Sequence, residues 1–318
     1  MNHFECVTSK RNKWYWYLLV LFLCYVVANT VGSIPLLVIC IGYSIKNGFD
    51  ASSIKALLKM DFNALGVDLN LVFAGILSVF AVMLIAAILF IKLFHGRSWK
   101  QVINGTNHVR WSRFFFAVLV WGIISIVTLA INYFTDPEIF LFRFEPVRFF
   151  TLVVLALIFI PLQSSCEEFL FRGYIAQGIA SWTKSRWWAL IIPSLLFGLL
   201  HSANPEIKEY GFLVMIVQYV FMGLLLGFMS VMDDGIELAM GFHVVNNLFG
   251  AVFVTFKGSA LQTYALFEIT EIKPADEILP LVTTGIILIA IFAYKYKWNF
   301  STINQKVFVH SDFVHSDL

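Results

Sequence analysis

Charge is scarce in this sequence: only 13% of its 318 residues are Asp, Glu, Lys or Arg, against 59% hydrophobic. A water-soluble domain carries about a quarter charged residues, so a soluble globular fold is excluded and the chain reads as an integral membrane protein. The net charge of +2 is small, and no basic patch stands apart from the juxtamembrane Lys and Arg, which leaves no support for a nucleic-acid partner. Cysteine is scarce too. Cys6, Cys24, Cys40 and Cys166 show neither CxxC nor CxxH spacing, which argues against a disulfide framework or a zinc knuckle. Cys166 is read as a small buried hydrophobe rather than a nucleophile. Three signatures of intramembrane proteolysis are also missing: HExxH, Gly-x-Gly-Asp and GxSG.

Long apolar runs are what the chain has instead. The first, Trp14 to Tyr43, follows Lys10, Arg11 and Lys13 and outruns a signal-peptide core of about 7 to 15 residues. It reads as a transmembrane helix kinked near Pro35. The second and third spans are Leu69 to Phe94 and Phe114 to Phe134, and the fourth starts at Phe149 and runs through Pro161 to Ile179. Trp187 to His201 is a short fifth span interrupted by Pro193. The sixth, Phe212 to Met232, spaces Gly223 and Gly227 as a close-packing face. Ile236 to Phe256 and Ile278 to Tyr296 complete the set. The expected fold is all-α: a polytopic membrane protein of about eight transmembrane helices, with a catalytic cavity among helices 4, 5 and 7.

Three regions follow: 1–148 with the first three helices, 149–256 as the core of helices 4 to 7, and 257–318 with helix 8 and a polar tail. Within the polar connection Lys46 to Asp68, Ile54, Leu57 and Leu58 alternate with Lys55 and Lys59 as a short interfacial amphipathic turn would. An even number of spans puts both termini on one side. The basic residues of the N-terminus, of the loops after helices 2 and 4, and of the C-terminus assign that side to the cytoplasm. Short loops point to a prokaryotic plasma membrane. The tail repeats FVHSD at Phe308 to Asp312 and Phe313 to Asp317, and histidines five apart do not share a helical face, so it reads as a disordered tail rather than a metal clip.

Against this apolar background a few polar groups stand out. Glu167, Glu168 and Arg172 lie in the fourth span, where each ionised group costs about 2.5 to 3.5 kcal/mol to insert. Glu168 and Arg172, four apart, share a helical face and can pair, while Glu167 points elsewhere. His201 ends the fifth span; His243 and Asn247 share one face of the seventh. Counting about 1.5 Å per residue from the expected helix ends puts all of them at overlapping depths, toward the cytoplasmic half of the membrane. A carboxylate and an imidazole on one water perform general-base hydrolysis, and a second imidazole with a carboxamide can stabilise an oxyanion. The same Glu167, His201 and His243 equally suit Zn²⁺ with water in the fourth position, and spacing leaves both open.

Glu167-Glu168-Phe-Leu-Phe-Arg172, Phe197-Gly-Leu-Leu-His201 and His243-Val-Val-Asn246-Asn247 together resemble the CAAX-protease and bacteriocin-processing family of intramembrane endopeptidases, which includes the type II CAAX prenyl endopeptidases. The resemblance covers Phe149 to Phe256. It implies that Glu167 is the base with His201 as its partner on the water, that His243 and Asn247 form the oxyanion site, and that Glu168 and Arg172 brace the helix. It implies a glutamate-dependent hydrolase with no required cofactor and a membrane-associated peptide or lipoprotein substrate, prenylated or of bacteriocin type. The rival classes are a non-catalytic immunity or scaffold protein and a proton-coupled transporter, which also bury Glu, His and Arg at depth.

Overall fold

The computed structural model describes residues 3–7, 11–58 and 61–308, the side chain of Asn63 excepted. The repeated FVHSD pentads, and with them the reading of the tail as disordered, lie outside the described residues beyond Phe308. The first apolar run folds as α1 (Trp14–Val31) and α2 (Ile34–Lys46), broken at Gly32 and Ser33 just ahead of Pro35. The break falls there because Pro35 lacks an amide and is tolerated in the first turn of a new helix. Two short helices, α3 (Ala51–Leu58) and α4 (Phe62–Leu65), form the amphipathic connection to α5 (Leu69–His95). Asp68 caps α5 by accepting from the Asn70 amide at 2.9 Å, and Gly96 ends it at φ 68°, a conformation that favours glycine. After α6 (Trp99–Asn104), α7 (Trp111–Thr135) crosses back and leads through strand β1 (Phe140–Phe142) to α8 (Pro146–Glu168).

The fourth span continues without a break through a π-helical turn, Phe169–Ile175, into α9 (Ala176–Thr183). Then come α10 (Arg186–Leu200), α11 (Pro205–Tyr210), α12 (Phe212–Met232), α13 (Glu237–Val252), strands β2 (Val254–Phe256) and β3 (Phe267–Ile269), and α14 (Ile278–Tyr296). The protein is a polytopic, predominantly helical membrane protein. Among the described residues six segments are long and apolar enough to cross a membrane: Trp14–Lys46, Leu69–His95, Trp111–Thr135, Pro146–Thr183, Phe212–Met232 and Ile278–Tyr296. The expected fifth and seventh spans are present as α10 and α13, but at 15 and 16 residues they fall short of the length of about 20 that a crossing helix needs. α13 is largely buried among its neighbours, whereas α10 leaves Trp187, Trp188, Leu195 and Leu199 exposed along its outer face, and both carry the chain from the end that holds the described termini to the opposite one.

The expected seventh helix stops four residues early, because Val254–Phe256 pairs in parallel with β3, and β3 pairs antiparallel with β1. This three-stranded cap lies at the end of the bundle where α8 begins and α13 ends. Short apolar strands and helix ends look alike in sequence, since both are brief apolar runs. Gly223 and Gly227 do form the close-packing face of α12, against α10. A Cβ on Gly223 would lie 2.7 Å from the Ser194 carbonyl oxygen and 3.1 Å from Ser194 Cα. Backbone atoms cannot swing aside, so Gly223→Ala is expected to cost about 1 to 3 kcal/mol. Melting in detergent should show the loss, with Gly42→Ala, which meets nothing within 4 Å, unchanged; equal melting of both variants would contradict this packing.

At the opposite end the described N-terminal residues are built in. His3 is buried, with Nε2 donating to the Arg172 carbonyl at 3.0 Å and Nδ1 accepting from Gln177 Nε2 at 3.3 Å. Gln177 cannot flip to accept instead, because its Oε1 already takes a hydrogen bond from Arg97 Nη1 at 2.6 Å. Burial lowers His3 from an ordinary 6.5 to about 4. The docked ring is therefore neutral, and its contribution is fully present above pH 6.5 and lost as the pH falls from there through about 4. A dye on Glu5→Cys, in a chain whose native cysteines are replaced, should become accessible to a water-soluble quencher on acidification. His3→Gln should flatten that response; a pH-independent signal in the parent would contradict it. The C-terminal segment returns to the same end, where the Val307 amide donates to the Lys184 carbonyl at 3.0 Å.

Candidate active site

The site is organised by the π-helical turn that follows Glu168. Such turns widen the helix by one residue and recur at functional sites. Glu168 and Arg172, 0% and 2% exposed, pair at 2.8 Å as their spacing predicts. Arg172 also donates from Nη2 to the Gly223 carbonyl at 3.0 Å, and its guanidinium lies 4.4 Å from the centroid of Phe197. Ser194 donates to the same carbonyl at 2.8 Å. One arginine thus ties the turn to α10 and α12, and Phe197 supplies the aromatic face on which the cation rests.

His243 Nδ1 lies 2.7 Å from Glu168 Oε1, and its Nε2 lies 3.6 Å from Glu167 Oε2. The acid that pairs with Arg172 therefore also fixes the seventh helix's imidazole, an arrangement that helical spacing alone could not show. With Nδ1 donating to the carboxylate, the ring turns Nε2 toward Glu167. Glu167 Oε2 is buried with no hydrogen-bond partner. A buried carboxylate oxygen without a hydrogen bond is costly, and such groups concentrate where a ligand or water completes them.

His201 begins a single 3₁₀ turn after α10, with Nδ1 2.7 Å from the Phe197 carbonyl. A carbonyl can only accept, so Nδ1 carries the proton and Nε2 is the acceptor of the neutral ring. The ring stacks on Tyr219 at 4.6 Å between centroids, and Asn204 Nδ2 donates to the Tyr219 hydroxyl at 3.1 Å. Asn247 Nδ2 donates to Gln163 Oε1 at 2.9 Å, and Asn246 Nδ2 to Asn247 Oδ1 at 3.2 Å. Gln163 and Tyr219 were not singled out from sequence. Gln163 stands four residues before Glu167 on the same helical face, and Tyr219 is a polar-tipped ring inside an apolar span, so a signal was present for each.

Glu167, His201 and Asn247 line one cavity of about 550 Å³, with Gln163, Asn204, Glu206, Tyr219 and Asn246. It reaches from the middle of the bundle to the end that carries α11 and the 259–261 segment. Because the fourth span extends to Thr183, four residues past the expected Ile179, Glu167 stands about 24 Å along the helix from its Thr183 end at 1.5 Å per residue. His201, past fifteen residues of α10, comes out at about 22 Å on the same measure. As to a metal, among the described residues no three His, Cys, Asp or Glu side chains are gathered as ligands. Glu167, His201 and His243 do not form a preassembled zinc triad, and two of the nearby polar atoms, Glu168 Oε1 and His243 Nδ1, are spent on each other.

Residues 146–249 match the family described as type II CAAX prenyl endopeptidase Rce1-like. This segment, about a third of the chain, is the part that resembles the family. It runs from the start of α8 into α13 and contains all three motifs, while the cavity is completed by residues of α5 and of the 250–261 segment outside it. Together with the six apolar segments long enough to cross a membrane, this match supports an integral membrane protein with a protease role of the CAAX type in general. The chain is also 29% identical over 203 residues, 63% of its own length and 68% of the relative's, to the "Uncharacterized protein YyaK" of Bacillus subtilis (strain 168). No solved structure matches the chain.

Proposed function

We propose that the protein is an intramembrane endopeptidase that hydrolyses a peptide bond of a membrane-associated substrate in the cavity behind α11. Glu167 takes the proton of a water held with His201 Nε2 and aims it at the scissile carbonyl. The observation that carries this reading is the buried Glu167 Oε2, which makes no hydrogen bond and has His243 Nε2 3.6 Å away, in a cavity Glu167 shares with His201. Asn247, whose amide borders the same cavity, donates to the developing oxyanion. His243, held by Glu168 at Nδ1, presents Nε2 beside Glu167 and completes the oxyanion site with Asn247. Glu168 and Arg172 position this ring and the turn rather than touching substrate.

A second cavity, about 460 Å³ and mostly apolar, shares Asn246, Val254 and Phe256 with the first and suits the apolar flank of a membrane-embedded peptide. With its many basic loops at the end that holds both described termini, the protein is oriented with that end in the cytoplasm of a prokaryotic cell. Cleavage of an apolar peptide by the purified protein tests the function. Turnover is expected to persist in excess chelator; loss in chelator with rescue by Zn²⁺ would transfer Glu167 from base to ligand.

A further inference from the structure

Glu206 is absent from the three motifs, yet it lines the catalytic cavity and is only 6% exposed. Its Oε1 accepts from the Ala260 amide at 2.6 Å, which fastens α11 to the segment after β2. Its Oε2 is buried with no hydrogen-bond partner. A carboxylate removed from water with half its acceptor capacity unused is strongly destabilising unless something cationic completes it. None of the described residues lining the cavity is Lys or Arg, so its described wall holds no permanent cation. The described segments that share this end of the bundle, 46–58, 61–68, 135–148, 204–211 and 253–277, carry twelve Asp and Glu against seven Lys and Arg. A positive group is therefore drawn toward the mouth and finds one buried acid along its wall besides Glu167.

We propose that Glu206 is a specificity subsite for a positively charged group of the peptide substrate, a Lys or Arg side chain or a free α-ammonium flanking the scissile bond. The subsite rests on the endopeptidase reading and deepens it by naming a substrate class: cationic peptides with an apolar flank. Glu206 does not touch the reacting atoms. It selects which bond is brought to Glu167 by pairing with a charge at a fixed distance from it, and a desolvated pair of this kind discriminates strongly against the uncharged analogue.

The test uses decapeptides of Leu, Ala and Ser in which one Lys, or its neutral isostere norleucine, is scanned through every position, presented to the full chain in detergent. Binding to Glu167→Gln protein and cleavage by the parent are both measured. The Lys peptide of correct register is expected to bind and to be cleaved about tenfold or more better than its norleucine partner. Glu206→Gln, which keeps an acceptor for the Ala260 amide, should erase that preference through KM, with the norleucine peptides unaffected. Glu206→Lys should favour the corresponding Glu peptide. Equal handling of Lys and norleucine at every position overturns the subsite even if cleavage proceeds. Selective, Glu206-dependent binding without any cleavage by the parent sustains the subsite and overturns the protease reading instead.

Discussion

Glu167→Gln is expected to lower peptide cleavage by about 10²- to 10⁴-fold, the span by which a positioned general base commonly accelerates a reaction, while the folded protein and its melting temperature are retained. The substitution is nearly isosteric and removes only the ability to accept a proton. Glu168→Gln should behave differently. The neighbouring acid is 0% exposed and bonded to Arg172 and His243, so its loss should show first as destabilisation and only then as lost turnover. Adjacent carboxylates with unlike phenotypes are the signature of one free acid and one structural acid. If a non-catalytic binding or scaffold role were the true one, Glu167→Gln would leave the cellular phenotype intact.

The largest stability effect is expected at Arg172. Arg172→Met strands Glu168 as an unpaired buried charge and releases the Gly223 carbonyl, for a cost of about 3 to 5 kcal/mol. Glu168→Gln combined with Arg172→Met removes both charges, so the double variant should melt closer to the parent than the single one does. Its Gln can still accept from His243 Nδ1, which keeps that ring in place. Melting curves of the two variants in the same detergent decide the matter: a double variant no more stable than Arg172→Met would show that the cost lies elsewhere than in the uncompensated carboxylate.

How much was legible in the sequence differs by element. Apolar runs of about twenty residues have few other uses, so the spans could be read directly, and α12 and α14 begin and end where their runs do. Helix-periodic spacing was enough for the Glu168–Arg172 pair. The strand cap was not legible, because β1 and β3 are paired across more than a hundred residues and each is only three residues long. The last turn of the fourth span was not legible, because Ser181 and Thr183 look like a polar helix end, whereas Ser181 is a buried partner of Asn12 inside α9. His243 could be placed on the right helix, but its bond to Glu168 depends on how α13 is rotated against α8, which no single segment encodes. Glu206 was hidden in a stretch whose other residues, Asn204, Lys208 and Glu209, look like an ordinary polar turn.

The most direct measurement is geometric. In a chain whose four native cysteines are replaced, Glu167→Cys and His201→Cys together are treated with dibromobimane, which fluoresces strongly only when it bridges two nearby thiols. If the acid of the fourth span and the imidazole position of the fifth border one water-filled space, the double variant lights up and neither single variant does. Two thiols that label separately and never bridge would contradict the shared site on which the hydrolytic reading depends.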